Sequence, residues 1–224
     1  MTRTDDAVEI RLPRIQQRTL LSAPARGRLL AVEGPIGVGK TTLAQRLATR
    51  LDAGLVLEVV EENPFLHSFY QDIRGRAFQT QIFFLLSRHR QQQRLLPSLA
   101  AGGTVVADYM FAKDRLFAGL TLDAAELALY ESVYELIAPL VPHPDTVVYL
   151  RASVETLQRR IALRGRSFER DLTRAYLERL STAYEAFFAN FGDAPVIVVD
   201  SERLDPRDDA ELATVLAALV EARR

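Results

Sequence analysis

From Arg28 onward, short apolar runs alternate with longer stretches whose hydrophobic positions recur at helical spacing. The runs 28–33, 55–60 (Leu-Val-Leu-Glu-Val-Val), 104–108 (Thr-Val-Val-Ala-Asp), 146–150 and 196–200 are almost continuously apolar. Strands of a parallel sheet covered on both faces have this pattern, whereas half-exposed strands alternate. Between the runs the spacing predicts helices near 40–52, 64–72, 75–96, 111–118, 123–138, 153–163, 173–190 and 207–222. Asp123 with Glu126 resembles a capping box, and Ser153 followed by Glu155 suits another helix start. Pro139, Pro142 and Pro144 close the helix before them, and Gly102-Gly103 marks the turn into the third strand. The alternation predicts an α/β domain over 27–224, a doubly wound, five-stranded parallel sheet flanked by helices. Residues 1–26 break the pattern: they are polar and rich in Arg, with Pro13 and Pro24, and are expected to form a flexible N-terminal extension.

The most informative stretch follows the first apolar run. Gly34-Pro35-Ile36-Gly37-Val38-Gly39-Lys40-Thr41-Thr42 matches G-x-x-x-x-G-K-T, with a strand before it and a helix after it. Glycines let the backbone curl round a polyphosphate without Cβ clashes. The exposed N–H groups and the positive helix end attract the anion. Lys40 is expected at the β- and γ-phosphates, with the Thr41 hydroxyl on Mg²⁺. The chain is therefore read as a binder of a nucleoside triphosphate.

Composition narrows the partner classes. A net charge of −1 gives no reason to expect nucleic acid or a membrane surface. No run of about 18 apolar residues suggests a membrane span, and the N-terminus lacks an apolar signal core, so a cytoplasmic location is expected. There are no cysteines, which excludes disulfide and thiolate chemistry. His67, His89 and His143 are scattered, with no pair at i, i+4, so no zinc site is expected.

In doubly wound sheets, ligands sit at the carboxyl ends of the strands. The second apolar run carries Glu58 and the third ends in Asp108. A buried acid at a strand end is costly unless it is used or paired. The bland alternative is that both acids cap helices or pair with arginines. On the segment 75–96, Gln81 and Arg88 lie two turns apart on one side of a broadly apolar helix. They could hydrogen-bond a flat heterocycle, although from spacing alone a solvated stripe is the simpler account. Arg159, Arg160, Arg164 and Arg166 cluster round Gly165 at a helix end. They could clamp a transferring phosphoryl group, or simply be cations favoured by the helix dipole.

Taken in order, these motifs resemble the deoxynucleoside kinase family from Arg28 to the last helix. The matching elements are Glu33-Gly-Pro-Ile-Gly-Val-Gly-Lys-Thr-Thr42, Glu58-Val-Val-Glu-Glu-Asn-Pro-Phe65, Phe69-Tyr70, Phe78-Gln-Thr-Gln81, Leu86-Ser-Arg88, Asp108-Tyr-Met-Phe-Ala-Lys-Asp114-Arg115 and Arg164-Gly-Arg-Ser-Phe-Glu169. The resemblance implies a P-loop kinase with an arginine lid, using ATP and Mg²⁺ to phosphorylate the 5′-hydroxyl of a deoxynucleoside for nucleotide salvage, and working as a homodimer. It implies Glu58 as general base, Tyr70 and Glu169 as holders of the 3′-hydroxyl, and Gln81, Arg88 and Asp114 as base readers. It also implies Asp108 near Mg²⁺ and Arg160, Arg164 and Arg166 as lid arginines. The sequence departs from the family pattern in two places. Val59 replaces a usual Pro, and Tyr109-Met110 replaces the Arg-Ser that commonly follows the acid at 108. Asp108-Tyr109 with Lys113, and Gly165-Arg-Ser-Phe-Glu169, look like the bacterial deoxyguanosine/deoxyadenosine kinase branch, deoxyguanosine being the first choice of substrate. The rival expectations are a nucleoside monophosphate kinase of thymidylate kinase type and a nucleotide-binding homologue without turnover.

Overall fold

The computed structural model describes residues 27–222. The expected extension over 1–26 therefore lies outside the described residues. Five parallel strands form one sheet: β1 (Arg28–Glu33), β2 (Gly54–Val56), β3 (Thr104–Ala107), β4 (Thr146–Arg151) and β5 (Val196–Asp200), in the order β2-β3-β1-β4-β5. The P-loop strand is thus central, and the chain switches sides next to it. A crevice forms at such a switch point, at the carboxyl ends of the strands.

Side chains of β1 explain the two-sided burial. Leu30 and Val32 face one way, onto Leu43 and Leu47 of α1 (Lys40–Leu51), Leu157 of α7 (Val154–Arg164) and Leu212 of α9 (Asp209–Glu221). Ala31 faces the other way, with Val147 and Met110, towards Phe187 and Phe188 of α8 (Arg174–Ala189). A smaller cluster joins α3 (Ile73–Gln93), α5 (Lys113–Thr121) and α6 (Ala124–Ile137) through Leu85, Ala118, Tyr130 and Tyr134. The capping box at Asp123 and Glu126 is formed, and Ser153 caps α7 through the Thr156 amide.

Four expected boundaries are corrected. The second strand ends at Val56, so Glu58 stands beyond it in a loop, where its backbone amide bonds a side chain instead of a neighbouring strand. The helix expected over 64–72 shrinks to α2 (Leu66–Phe69), because Asp72 caps a new helix through the Gly75 amide. The long helix does not run to 96. It ends at Gln93, and α4 (Leu96–Ala100) restarts with Pro97 in its first turn, where proline is tolerated. The start expected at 111 moves to Lys113, since residues 109–112 form the turn out of β3.

Candidate active site

The loop between β1 and α1 is built by backbone demands. Gly34 has φ 145°, and a Cβ there would lie 2.2 Å from the Leu150 carbonyl oxygen. Gly39, with φ 107°, leads directly into α1. No L side chain adopts these conformations without strain. The loop is anchored by Glu33, fully buried at the end of β1. It accepts from the amides of Gly34 (3.0 Å) and Met110 (2.8 Å) and from the Tyr184 hydroxyl (3.0 Å). Three donors satisfy a carboxylate that burial alone would strongly disfavour.

Lys40 folds back over the loop and donates to the carbonyls of Gly34 (2.8 Å) and Pro35 (3.1 Å). Burial pushes its pKa down to about 8. The charge of Lys113 adds to this, against the opposing pull of Glu33, Glu58 and Asp108. The folded pKa lies below the unfolded one, so between these values the unfolded chain binds more protons and stability rises with pH. A polyphosphate favours the ammonium form, so nucleotide binding draws a proton onto Lys40. The affinity for Mg·ATP is expected to be flat below pH 8 and to weaken by about tenfold per unit above it, until the pKa of the complex is reached. Calorimetry in buffers of different ionisation enthalpy would reveal this uptake. An affinity unchanged up to about pH 9.5 would contradict it.

Asp108, just past β3, ties two parts of the site together. Its carboxylate accepts from the Thr41 hydroxyl at 2.6 Å and from the Glu58 amide at 2.7 Å. Thr41 and Asp108 thus present two hard oxygen donors side by side. No group of three or more His, Cys, Asp or Glu among the described residues could hold a metal alone. Two protein oxygens fit Mg²⁺, which keeps waters and takes further ligands from phosphate.

Glu58 lies at the centre of a buried charge cluster. Lys113 donates to its Oε2 at 2.7 Å, and Arg88 reaches Oε1 through Nε (2.9 Å) and Nη2. The other end of the Arg88 guanidinium meets Asp114, which is fully buried. Burial would raise the Glu58 pKa, but the charges of Arg88 and Lys113 outweigh it and hold the carboxyl far below its ordinary range. Glu58 is therefore an anion throughout the working pH range. The expectation that these acids pair with arginines is thus met for Glu58, inside the cleft. Gln81 and Arg88 are buried, which overturns the solvated stripe.

The cleft they line measures about 780 Å³, within the range of small-molecule sites. Tyr70 lines it, and burial, with Tyr176 and Glu169 nearby, raises its pKa, so the phenol stays protonated as a donor. Glu169 is buried and held by Arg164 (3.2 and 2.5 Å). Arg166 reaches Glu61 at 3.2 Å and lies 4.0 Å from Glu169. Arg160 points the other way. Its Nη1 donates to the Val38 carbonyl and the Ser201 hydroxyl, and its Nη2 to the Ser201 carbonyl. The three arginines therefore line one cleft from two sides, and do not form a single bundle of side chains.

Two features were missed from sequence. The segment Ser201–Arg207, after β5, lines the P-loop end of the cleft. Its place at the carboxyl end of a parallel strand was the available signal. Phe84 and Phe168 supply apolar walls, and Phe84 lies 4.5 Å from the Arg88 guanidinium. Phe84 sits one turn before Arg88, a spacing that could have suggested the stack.

Residues 30–221 match the family model described as deoxynucleoside kinase. The chain is 38% identical over 181 residues to a deoxyguanosine kinase of Bacillus subtilis, covering 79% of this chain and 87% of the relative. It is 34% identical over 192 residues to that organism's deoxyadenosine/deoxycytidine kinase, covering 82% and 87%. Among solved structures, a deoxyadenosine kinase from M. mycoides with products dCMP and a flexible dCDP bound superposes with a TM-score of 0.76 at 28% identity, covering 86% of this chain and 99% of that one.

Proposed function

Given that the chain belongs to the deoxynucleoside kinase family and is a phosphotransferase of the P-loop kinase fold, we propose that it transfers the γ-phosphoryl group of ATP to the 5′-hydroxyl of deoxyguanosine, with deoxyadenosine second, in nucleotide salvage. The carrying observation is the wiring round the buried Asp114. Its Oδ1 is paired with Arg88 Nη1, and its Oδ2 has no hydrogen-bond partner among the described residues. Thr121 donates its hydroxyl proton to the Phe117 carbonyl (2.7 Å), so its oxygen must accept from Gln81 Nε2 (3.1 Å). That fixes the Gln81 amide and leaves Oε1 as an acceptor in the cleft. In this reading Asp114 Oδ2, packed directly behind Arg88, and Gln81 Oε1 are the acceptors that meet a bound base beside the Arg88 donors, Gln81 and Arg88 being the residues that line the cleft. The guanine edge complements this, with N1–H and N2–H as donors and O6 and N7 as acceptors. Adenine presents N1 as an acceptor, and meets the carboxylate less well.

In this reading Tyr70 and Glu169 hold the 3′-hydroxyl. Glu58, already anionic, aligns the 5′-hydroxyl and takes its proton late, as a loose transition state permits. Lys40, Arg164 and Arg166 neutralise charge on the transferring phosphoryl group, and Arg160 braces the loop from the Val38 carbonyl. Thr41 and Asp108 would hold Mg²⁺ together with phosphate and water, and the ion would supply positive charge to the transferring phosphoryl group. Closure of the segment round Gly165 excludes water and limits futile hydrolysis. A neutral acceptor favours this reading over phosphorylation of a monophosphate, since the acids Glu58 and Glu169 line the acceptor end of the cleft. Initial rates with Mg·ATP on deoxyguanosine, deoxyadenosine, deoxycytidine and thymidine test the proposal. The highest kcat/KM is expected for deoxyguanosine, and a pyrimidine preference would contradict the Asp114 assignment.

A further inference from the structure

Lys113 is the first residue of α5, where a cation is disfavoured by the helix dipole. Its side chain is 4% exposed, yet its ammonium reaches no backbone carbonyl or other acceptor in the described residues except Glu58 Oε2, at 2.7 Å. The stem is walled by aromatic rings, with Nζ 5.7 Å from the centre of Tyr109 and 5.9 Å from that of Phe117. A desolvated lysine at the wrong end of a helix is a net cost to the fold unless its partner needs it. The partner here lines the cleft, and each of its two oxygens carries one cation: Arg88 on Oε1, Lys113 on Oε2. The two cations come from different helices, α3 and α5, so together they fix the carboxylate in rotation as well as in position.

Resting on the reading of Glu58 as the base, we propose that Lys113 is a positioning residue that orients Glu58 toward the acceptor hydroxyl and acts on turnover only through that carboxylate. Tyr109, standing where an arginine is common in the family, then serves as one wall of the lysine's slot; its hydroxyl is turned away, donating to Gln91 at 2.9 Å.

A double-mutant cycle separates this role from plain support of the fold. Lys113→Met is expected to lower kcat for deoxyguanosine by about 10²-fold, the scale of a misplaced catalytic group. The KM values for nucleoside and Mg·ATP should stay within about threefold. In a Glu58→Gln background the same substitution should change kcat by less than about threefold, because the group it orients is gone. Equal losses in both backgrounds, or a single variant within about threefold of wild type, would overturn the proposal. If Lys113→Met alone does not fold, the double variant decides. It removes both charges, so it should fold and turn over like Glu58→Gln. A double variant more than about threefold slower than Glu58→Gln would overturn the proposal. Failure of the base reading itself would look different: Glu58→Gln alone would keep wild-type turnover.

Discussion

Glu58→Gln is expected to lower kcat by about 10²- to 10⁴-fold while leaving Mg·ATP affinity unchanged. The carboxylate is held as an anion by Arg88 and Lys113, so the wild-type group is ready whenever the hydroxyl is in place. The amide has the same shape but cannot accept the hydroxyl proton, and its NH₂ must face one of two cationic donors. The P-loop contacts do not involve this side chain: Lys40 donates to Gly34 and Pro35, and Thr41 to Asp108. Single-turnover rates on deoxyguanosine, with nucleotide titration alongside, are the check. A phosphoryl-transfer rate within about threefold of wild type would remove Glu58 from the mechanism.

Arg88→Met is expected to have the largest effect on stability. The guanidinium is the cation shared by Glu58 and the fully buried Asp114. Methionine fills much of the same volume under Phe84 but leaves Asp114 without a counter-charge. Removing one partner of a buried pair costs about 3–5 kcal/mol. The same change removes the donors proposed for guanine O6 and N7, so nucleoside KM should rise even where the variant folds. The urea midpoint measures the first effect and initial rates the second. A loss of stability below about 1 kcal/mol would mean that Asp114 does not depend on Arg88 as its counter-charge, and would withdraw it as the acceptor for guanine.

Much of this site was legible because its residues are spaced by strand ends and helix turns. The P-loop declared itself by glycines whose positive φ the structure requires at 34, 37 and 39. Asp108 was legible as an acid closing an apolar run. Glu58 was found although the strand expected beneath it was too long. The chain leaves the sheet at Val56, because Asp108 captures the Glu58 amide from the side. Local pattern holds no sign of such a side-chain capture. Arg88 and Gln81 could not be told from a solvated stripe by periodicity, since their burial depends on α5 and on Thr121, about 40 residues away. Lys113 as a partner of Glu58, 55 residues apart, was equally a matter of tertiary placement. The lid arginines were grouped by sequence nearness, whereas Arg160 is turned away from Arg164 by Ser201 and the Val38 carbonyl.

In the proposed reaction a neutral nucleoside hydroxyl, aligned by Glu58, receives the phosphoryl group. The most direct measurement is phosphorus NMR of the enzyme with Mg·ATP and deoxyguanosine, beside a matched reaction with dGMP. Growth of the 5′-monophosphate resonance with stoichiometric ADP is expected in the first reaction, and no diphosphate of the nucleoside in the second. Conversion of dGMP to dGDP with deoxyguanosine left untouched would contradict the proposed reaction, and would mean that the acids at the acceptor end of the cleft have been misassigned.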